Sequence, residues 1–373
     1  MPASERRGAI LRQRLRVTYF IVANTAILLL LIQFATHGTI LFYEQTLPEL
    51  MAPGLTEAVK RNYAHMTPQD RDELLRASRK VRYRYAPMIG FVLKETTSRF
   101  VNIDVYGIRA NGNTPQDITS MERRIWFLGG STTYGEGIAD HETIPAQLER
   151  VMGQPVVNLG VSGYSSMQEN LLLNQYLRIG YRPSLAIFLD GINESCLFSL
   201  YEHEMDVLFN RAQDGYRWDA GGPVAYAYGR VSRWLKRELF GRAAASEDAL
   251  TCDDQGKRNP LRTIVARTLA ERAALCRLYD IECRTLVQPF AGVHGRNDDT
   301  VFLASHDARK LLELFAHLET TWRAAGAIFI TDALDHFDRH AFIDEVHYSA
   351  DASRLIAETI AARIVRPGER SPP

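Results

Sequence analysis

From about residue 122 the chain alternates short apolar runs with longer amphipathic stretches. That rhythm predicts an α/β domain of three layers, α/β/α, in which a mostly parallel five-stranded sheet is covered by helices on both faces. Three of the apolar runs close in glycine-containing turns, and ligands of open α/β sheets gather outside such strand ends. Near the N-terminus a long apolar stretch, preceded by arginines, predicts one transmembrane helix ahead of the domain.

Taken in order, Arg124–Leu128 (RIWFL) reads as the first buried strand because it is short, apolar and ends in Gly-Gly. Glu142–Met152 follows as a helix, Pro155–Val161 as the second strand and Met167–Ile179 as the next helix. Ser184–Leu189 is the third strand, Leu261–Leu278 a helix and Cys283–Val287 the fourth strand. Ala304–Ala325 reads as a long helix, Ala327–Thr331 as the fifth strand and Ala350–Val365 as the closing helix. Before the domain, Thr67–Arg82 has a helical pattern with acids leading and bases closing it, and Asn102–Gly112 reads as short extended pieces joined by turns. These readings divide the chain into a basic cytoplasmic tail (1–16), an anchor (17–43), a stalk leading into the domain (44–120), the domain itself (121–367) and a fraying tail (368–373). Residues 194–260 interrupt the alternation and are rich in aromatic and charged side chains. A long insertion at the carboxyl end of a strand suits a lid or substrate wall, and equally a packing embellishment.

The 373 residues suffice for one large domain or two modest ones with a substantial core. Hydrophobic residues at 46% and charged residues at 24% exclude a disordered chain. Basic and acidic residues both number 44, so no overall field selects nucleic acid or an acidic surface.

Arg6, Arg7, Arg12, Arg14 and Arg16 precede a stretch, Val17 to Tyr43, that holds no Asp, Glu, Lys or Arg. Its core matches the roughly 20 apolar residues that cross a bilayer. A cleaved signal peptide would carry a shorter apolar region, about 7–15 residues, and an A-x-A-like site, which Ala35-Thr36-His37 does not supply well. The arginines place the N-terminus in the cytoplasm and the domain outside it, in the periplasm for a protein of a bacterial inner membrane. Cys276 and Cys283 are near enough in sequence for a disulfide in an exported domain, with free buried thiols as the alternative. No CxxC pair supports zinc or thiol redox chemistry, and neither a metal nor a cofactor is expected.

Chemistry concentrates at the strand ends. The first run leads into Gly129-Gly130-Ser131-Thr132-Thr133-Tyr134-Gly135, where a serine flanked by glycines exposes its hydroxyl and aims its own N–H at a bound carbonyl. Thr133 stands where a G-x-S-x-G elbow needs glycine, which counts against an α/β-hydrolase. The second run closes in Asn158-Leu159-Gly160-Val161-Ser162-Gly163, the third in Asp190-Gly191-Ile192-Asn193, and Asp344-Glu345-Val346-His347 precedes the last helix. Each alone is weak. Asp332, Asp335, His336, Asp338 and His340 crowd together without the helical spacing of a metal site. His203 reads as a solvated residue, while Gln288-Pro289 either lines the pocket or forms a turn.

Together the four motifs resemble those of the SGNH/GDSL hydrolases, over roughly residues 122–366 and in family order. The resemblance implies a flavodoxin-like fold, Ser131 as nucleophile, Asp344 and His347 completing its triad, and Ser131, Gly163 and Asn193 as oxyanion donors. Gly130 stands where the family has the Asp of GDS, and Glu194 where it has the Asp of G-x-N-D. Both departures point away from the lipase-like members. The strings FLGGSTTYG and VNIDVYGIR are similar to a bacterial subgroup associated with surface polysaccharides. The resemblance therefore implies a serine esterase acting on an acylated carbohydrate or other small ester. An O-acetyltransferase with the same triad, or a non-catalytic scaffold, is the alternative.

Overall fold

The computed structural model describes residues 3–41, 57–112, 121–195, 255–289, 306–338, 340–344 and 346–364. Most of the insertion at 194–260, with His203, lies outside them. The chain forms two units, and the N-terminal helix α1 (Ala3–Leu41) belongs to a different unit from the other described elements. Within α1, Gln13–Ala35 has a mean hydropathy of 2.0 and is long and apolar enough to cross a membrane. Its Leu, Ile and Phe side chains are exposed all round, as a helix facing lipid requires.

The second unit is built on five parallel strands: β3 (Ile125–Gly129), β4 (Val156–Gly160), β5 (Leu185–Asp190), β6 (Cys283–Val287) and β7 (Ile328–Phe329), in the order β4-β3-β5-β6-β7. This is the flavodoxin-like order, with its switch point between β3 and β5. Alternation of side chains along the strands builds the three layers. Ile125 and Phe127 of β3, with Ile187 and Leu189 of β5, pack with Ile144 and Leu148 of α5 (Ile144–Met152) and Ile356 and Ile360 of α10 (Ala350–Ile364). Trp126, Leu128, Ala186 and Phe188 point the other way, onto Leu172, Leu173 and Tyr176 of α6 (Ser166–Arg178). On that face Val287 meets Leu261 and Val265 of α8 (Gln255–Leu278) and Leu318 and Trp322 of α9 (His306–Ala324).

Two expectations change. The helix expected to start at Leu261 begins at Gln255, so the end of the supposed insertion is helical. The fifth strand keeps only two residues, because Ile330 at ψ 22° leaves the extended region and the chain enters a 3₁₀ turn, Thr331–Leu334. A disulfide joins Cys276 of α8 to Cys283 of β6, so those two are not free thiols.

Residues 57–112 belong to the second unit and pack into its core. They form α2 (Glu57–Arg61), α3 (Pro68–Lys80), capped by the Thr67 hydroxyl on Asp70 N–H, and the antiparallel hairpin of β1 (Tyr83–Ala86) and β2 (Gly90–Leu93). Phe91, Leu93, Ile103 and Ile108 join the cluster that holds Trp126 and Leu128. The extended pieces of Asn102–Gly112 lead Arg109 into a bridge with Asn158 of β4. There its guanidinium is fully buried: Nε meets Asp140 Oδ1 at 3.0 Å, Nη1 donates to the Tyr134 and Gly135 carbonyls at 2.6 Å each, and Nη2 donates to Ile138 O at 2.7 Å. Removing one partner of such a pair strands the other's charge in the core, which costs about 3–5 kcal/mol. Arg109→Met in the full-length chain is therefore expected to lose about 3–5 kcal/mol in urea unfolding. A loss within experimental error would show that Asp140 and the carbonyls find other donors.

Candidate active site

Ser131 opens α4 (Ser131–Tyr134), a single turn directly after β3. Gly130 precedes it, and Gly135, at φ +82°, ends it in the left-handed conformation that glycine adopts without strain. A Cβ at Gly130 would collide with the Asn193 side-chain amide, and one at Gly160 with the Tyr134 backbone. The departure from GDS at position 130 therefore has a steric reason: this turn closes tightly on Asn193. Ser131 is 8% exposed, and its N–H, at the first helical position, has no intrahelical acceptor. Behind it, Thr132 Oγ1 donates to Gln288 Oε1 at 3.1 Å. Gln288 is buried at 1% exposure and stands next to Gly191. That bond ties Gln288 to the turn that carries Ser131.

The turn after β4 places Gly163 in the left-handed region at φ +85°. Next to it, the Tyr164 carbonyl accepts a 2.5 Å hydrogen bond from Asn193 Nδ2, leaving the second amide hydrogen of Asn193 to another acceptor. Tyr164 is itself tied by its hydroxyl to Phe91 O of the β1–β2 hairpin at 2.5 Å. Asn193 lies in α7 (Ile192–Ser195), the turn after β5, so the candidate oxyanion donors come from three strand ends at the switch point.

Asp344 and His347 meet. Asp344 Oδ2 lies 2.6 Å from His347 Nδ1, while its Oδ1 accepts the N–H groups of Val346 and His347 at 2.9 and 2.8 Å. Burial opposes the charged form of Asp344, but the His347 contact and these N–H groups outweigh it and lower its pKa. Burial likewise opposes the imidazolium of His347. The Asp344 carboxylate, helped by the charge of Glu136, outweighs that and raises its pKa. His347 Nε2 is buried without a hydrogen-bond partner among the described residues. Free active sites are commonly looser than reacting ones.

Below Asn193 lies a group of buried charges that the sequence did not reveal. Glu169, Asp190 and Glu194 bring carboxylate oxygens within 4.8 Å of one another, the one such group among the described residues. The Asp332–His340 run does not converge in this way, and Asp332 pairs with Arg363. Arg272 fills the place a cation would take, binding Glu169 at 3.0 Å, Asp190 at 2.8 Å and Asn170 at 3.0 Å. One guanidinium cannot offset three carboxylates. Burial and the Asp190 charge push Glu194 up to about 7, against the opposing N–H bonds from Gly191 and Ser166, and they raise Glu169 as well. Glu194 thereby links the turn that carries Asn193 to the start of α6, a use for the glutamate that departs from G-x-N-D.

A serine at a strand end, an imidazole–carboxylate pair and amide donors are the kinds of group that serine acyl-transfer sites use. The structural neighbours of the chain are described as GDSL-type hydrolases and esterases. They include an acetyl-xylooligosaccharide esterase from Geobacillus (14% identity, TM-score 0.37, covering 68% of this chain and 99% of that one). A carbohydrate acetylesterase family member from Sinorhizobium meliloti is similar at 13% identity and TM-score 0.36, covering 65% and 97%. A lipolytic protein of the G-D-S-L family from Veillonella parvula gives 13% identity, TM-score 0.36 and coverage of 65% and 98%. No protein-family model matches the chain. No curated protein matches it.

Asn193→Ala is expected to lower kcat for ester hydrolysis about 10²–10³-fold with little change in KM, the usual effect of removing one oxyanion donor. An unchanged kcat would remove Asn193 from the oxyanion site.

Proposed function

We propose that the protein is a serine ester hydrolase that removes O-acyl groups, acetyl above all, from a carbohydrate through an acyl-enzyme. The observation that carries this reading is the His347 ring: Nδ1 is fixed on Asp344, and Nε2 is buried and unbonded, ready to take a hydroxyl proton. In the proposed reaction His347 takes the Ser131 proton as Oγ attacks the ester carbonyl, and Asp344 stabilises the imidazolium that forms. N–H groups of Ser131 and Gly163 and the Asn193 amide receive the oxyanion. The imidazolium returns its proton to the leaving alkoxide, and water then releases the acyl group by the same steps in reverse.

Polar groups near Ser131, among them Glu136, Ser162 and Asn193, favour a short acyl group on a hydroxyl-rich carrier over a long lipid chain. The resemblance of FLGGSTTYG and VNIDVYGIR to a polysaccharide-associated subgroup favours the same substrate class. An extracytoplasmic domain held by α1 is supported by the arginines before the apolar segment and by the Cys276–Cys283 disulfide, since disulfides persist in oxidising compartments. Transfer of the acyl group to a sugar hydroxyl is the second reading.

The full-length chain in detergent should hydrolyse p-nitrophenyl acetate, and Ser131→Ala should lose at least about 10³-fold of the rate. Equal rates for the two folded proteins would end the serine-hydrolase reading. Acetylated product formed on an added oligosaccharide, in excess of free acetate, would select the transferase.

A further inference from the structure

Glu136 follows the nucleophile turn and was not among the residues the motifs singled out. Its Oε2 accepts a 2.6 Å hydrogen bond from Ser162 Oγ and lies 3.8 Å from His347 Nε2, the nitrogen that faces away from Asp344. The imidazole thus stands between two carboxylates, one on each nitrogen. The Ser162 hydroxyl fixes Glu136 in place, and Ser162 directly precedes the candidate oxyanion donor Gly163. The charged groups facing the ring are Asp344 on its own loop and Glu136 from the loop after α4. Tyr63, from the segment after α2, donates to Gly137 O beside Glu136 and is kept neutral by burial.

We propose that Glu136 is a positioning residue for the base: its carboxylate stabilises the His347 imidazolium from the Nε2 side and so sets the pH range in which His347 can accept the Ser131 proton. The inference rests on the serine-hydrolase reading for its consequence in catalysis, but the effect on the ring exists without it. The direction follows from charge. An anion beside Nε2 favours the protonated ring, so His347 becomes neutral, and able to act as base, only at a higher pH than it would without Glu136. The raised His347 pKa, to which the Glu136 charge contributes, agrees with this. Glu136 is 43% exposed, so water weakens its field, and an effect of about half to one pH unit is expected at this separation.

The test uses the full-length chain in detergent with ¹³C-labelled histidine Cε1, the His347 resonance being assigned by its loss in His347→Gln. Its titration and the pH profile of p-nitrophenyl acetate hydrolysis are measured for the wild type, Glu136→Gln and Ser162→Ala. Glutamine keeps an acceptor for Ser162 and removes only the charge. In Glu136→Gln the ring midpoint and the acid limb of the rate are both expected to fall by about half to one pH unit. Ser162→Ala, which keeps the charge, should shift either by far less. An unmoved ring midpoint in Glu136→Gln overturns the proposal, whatever happens to the rate. A shifted ring in a wild type without serine-dependent hydrolysis would leave the electrostatic role of Glu136 standing and remove the hydrolase reading alone.

Discussion

The candidate site depends on a buried guanidinium that touches none of its reacting atoms. Arg109 binds two carbonyls at the end of the turn that carries Ser131, a third at Ile138, and the Asp140 carboxylate, which also accepts from Asn102 N and Nδ2. A single turn of helix has almost no stability of its own, because nucleation costs more than one or two hydrogen bonds return. Here α4 is held from below by the β3 and β4 strand ends and at its C-terminus by Arg109. Buried charge of this kind is weak evidence for stability by itself, but it fixes geometry: the fork has one arrangement that satisfies every donor.

The same segment supports the rest of the site. Tyr164, whose carbonyl orients Asn193, is anchored through its hydroxyl to the β1–β2 hairpin, and Tyr63 holds Gly137 of the loop that carries Glu136. Arg272 and Glu194 tie β5, α6 and α8 together. Residues 57–112 thus act as a buttress for a sheet whose switch point would otherwise present loose loops. Preorganised donors are effective because they need not reorient as charge develops.

Much of this was legible in the sequence. Strand alternation gave the sheet to within a residue or two, since a strand buried on both faces is a continuous apolar run such as IWFL or AIFL. The Asp344–His347 pair was legible only through the resemblance, since a D-x-x-H spacing alone is as common in surface polar pairs. Arg109, Glu136 and Arg272 were not. The partners that bury them are far off in sequence, 25 positions for Arg109 and Tyr134 and 103 for Arg272 and Glu169, and nothing local distinguishes a buried, paired arginine from the many solvated ones. The Gln288 bond to Thr132 was hidden for a related reason: it joins two strand ends 156 positions apart, and Gly191 leaves room for the Gln288 side chain. The fifth strand was overestimated because apolar Ile330 and the residues around it signal burial, which a 3₁₀ turn satisfies equally well.

The central claim is that Ser131 is a nucleophile activated by His347. The most direct measurement is treatment of the full-length chain with a fluorophosphonate, followed by peptide mass mapping of the adduct. The account predicts one covalent adduct, on Ser131, formed far more slowly in a folded His347→Gln protein. An adduct on a different serine, or labelling of Ser131 at an equal rate without His347, would contradict it.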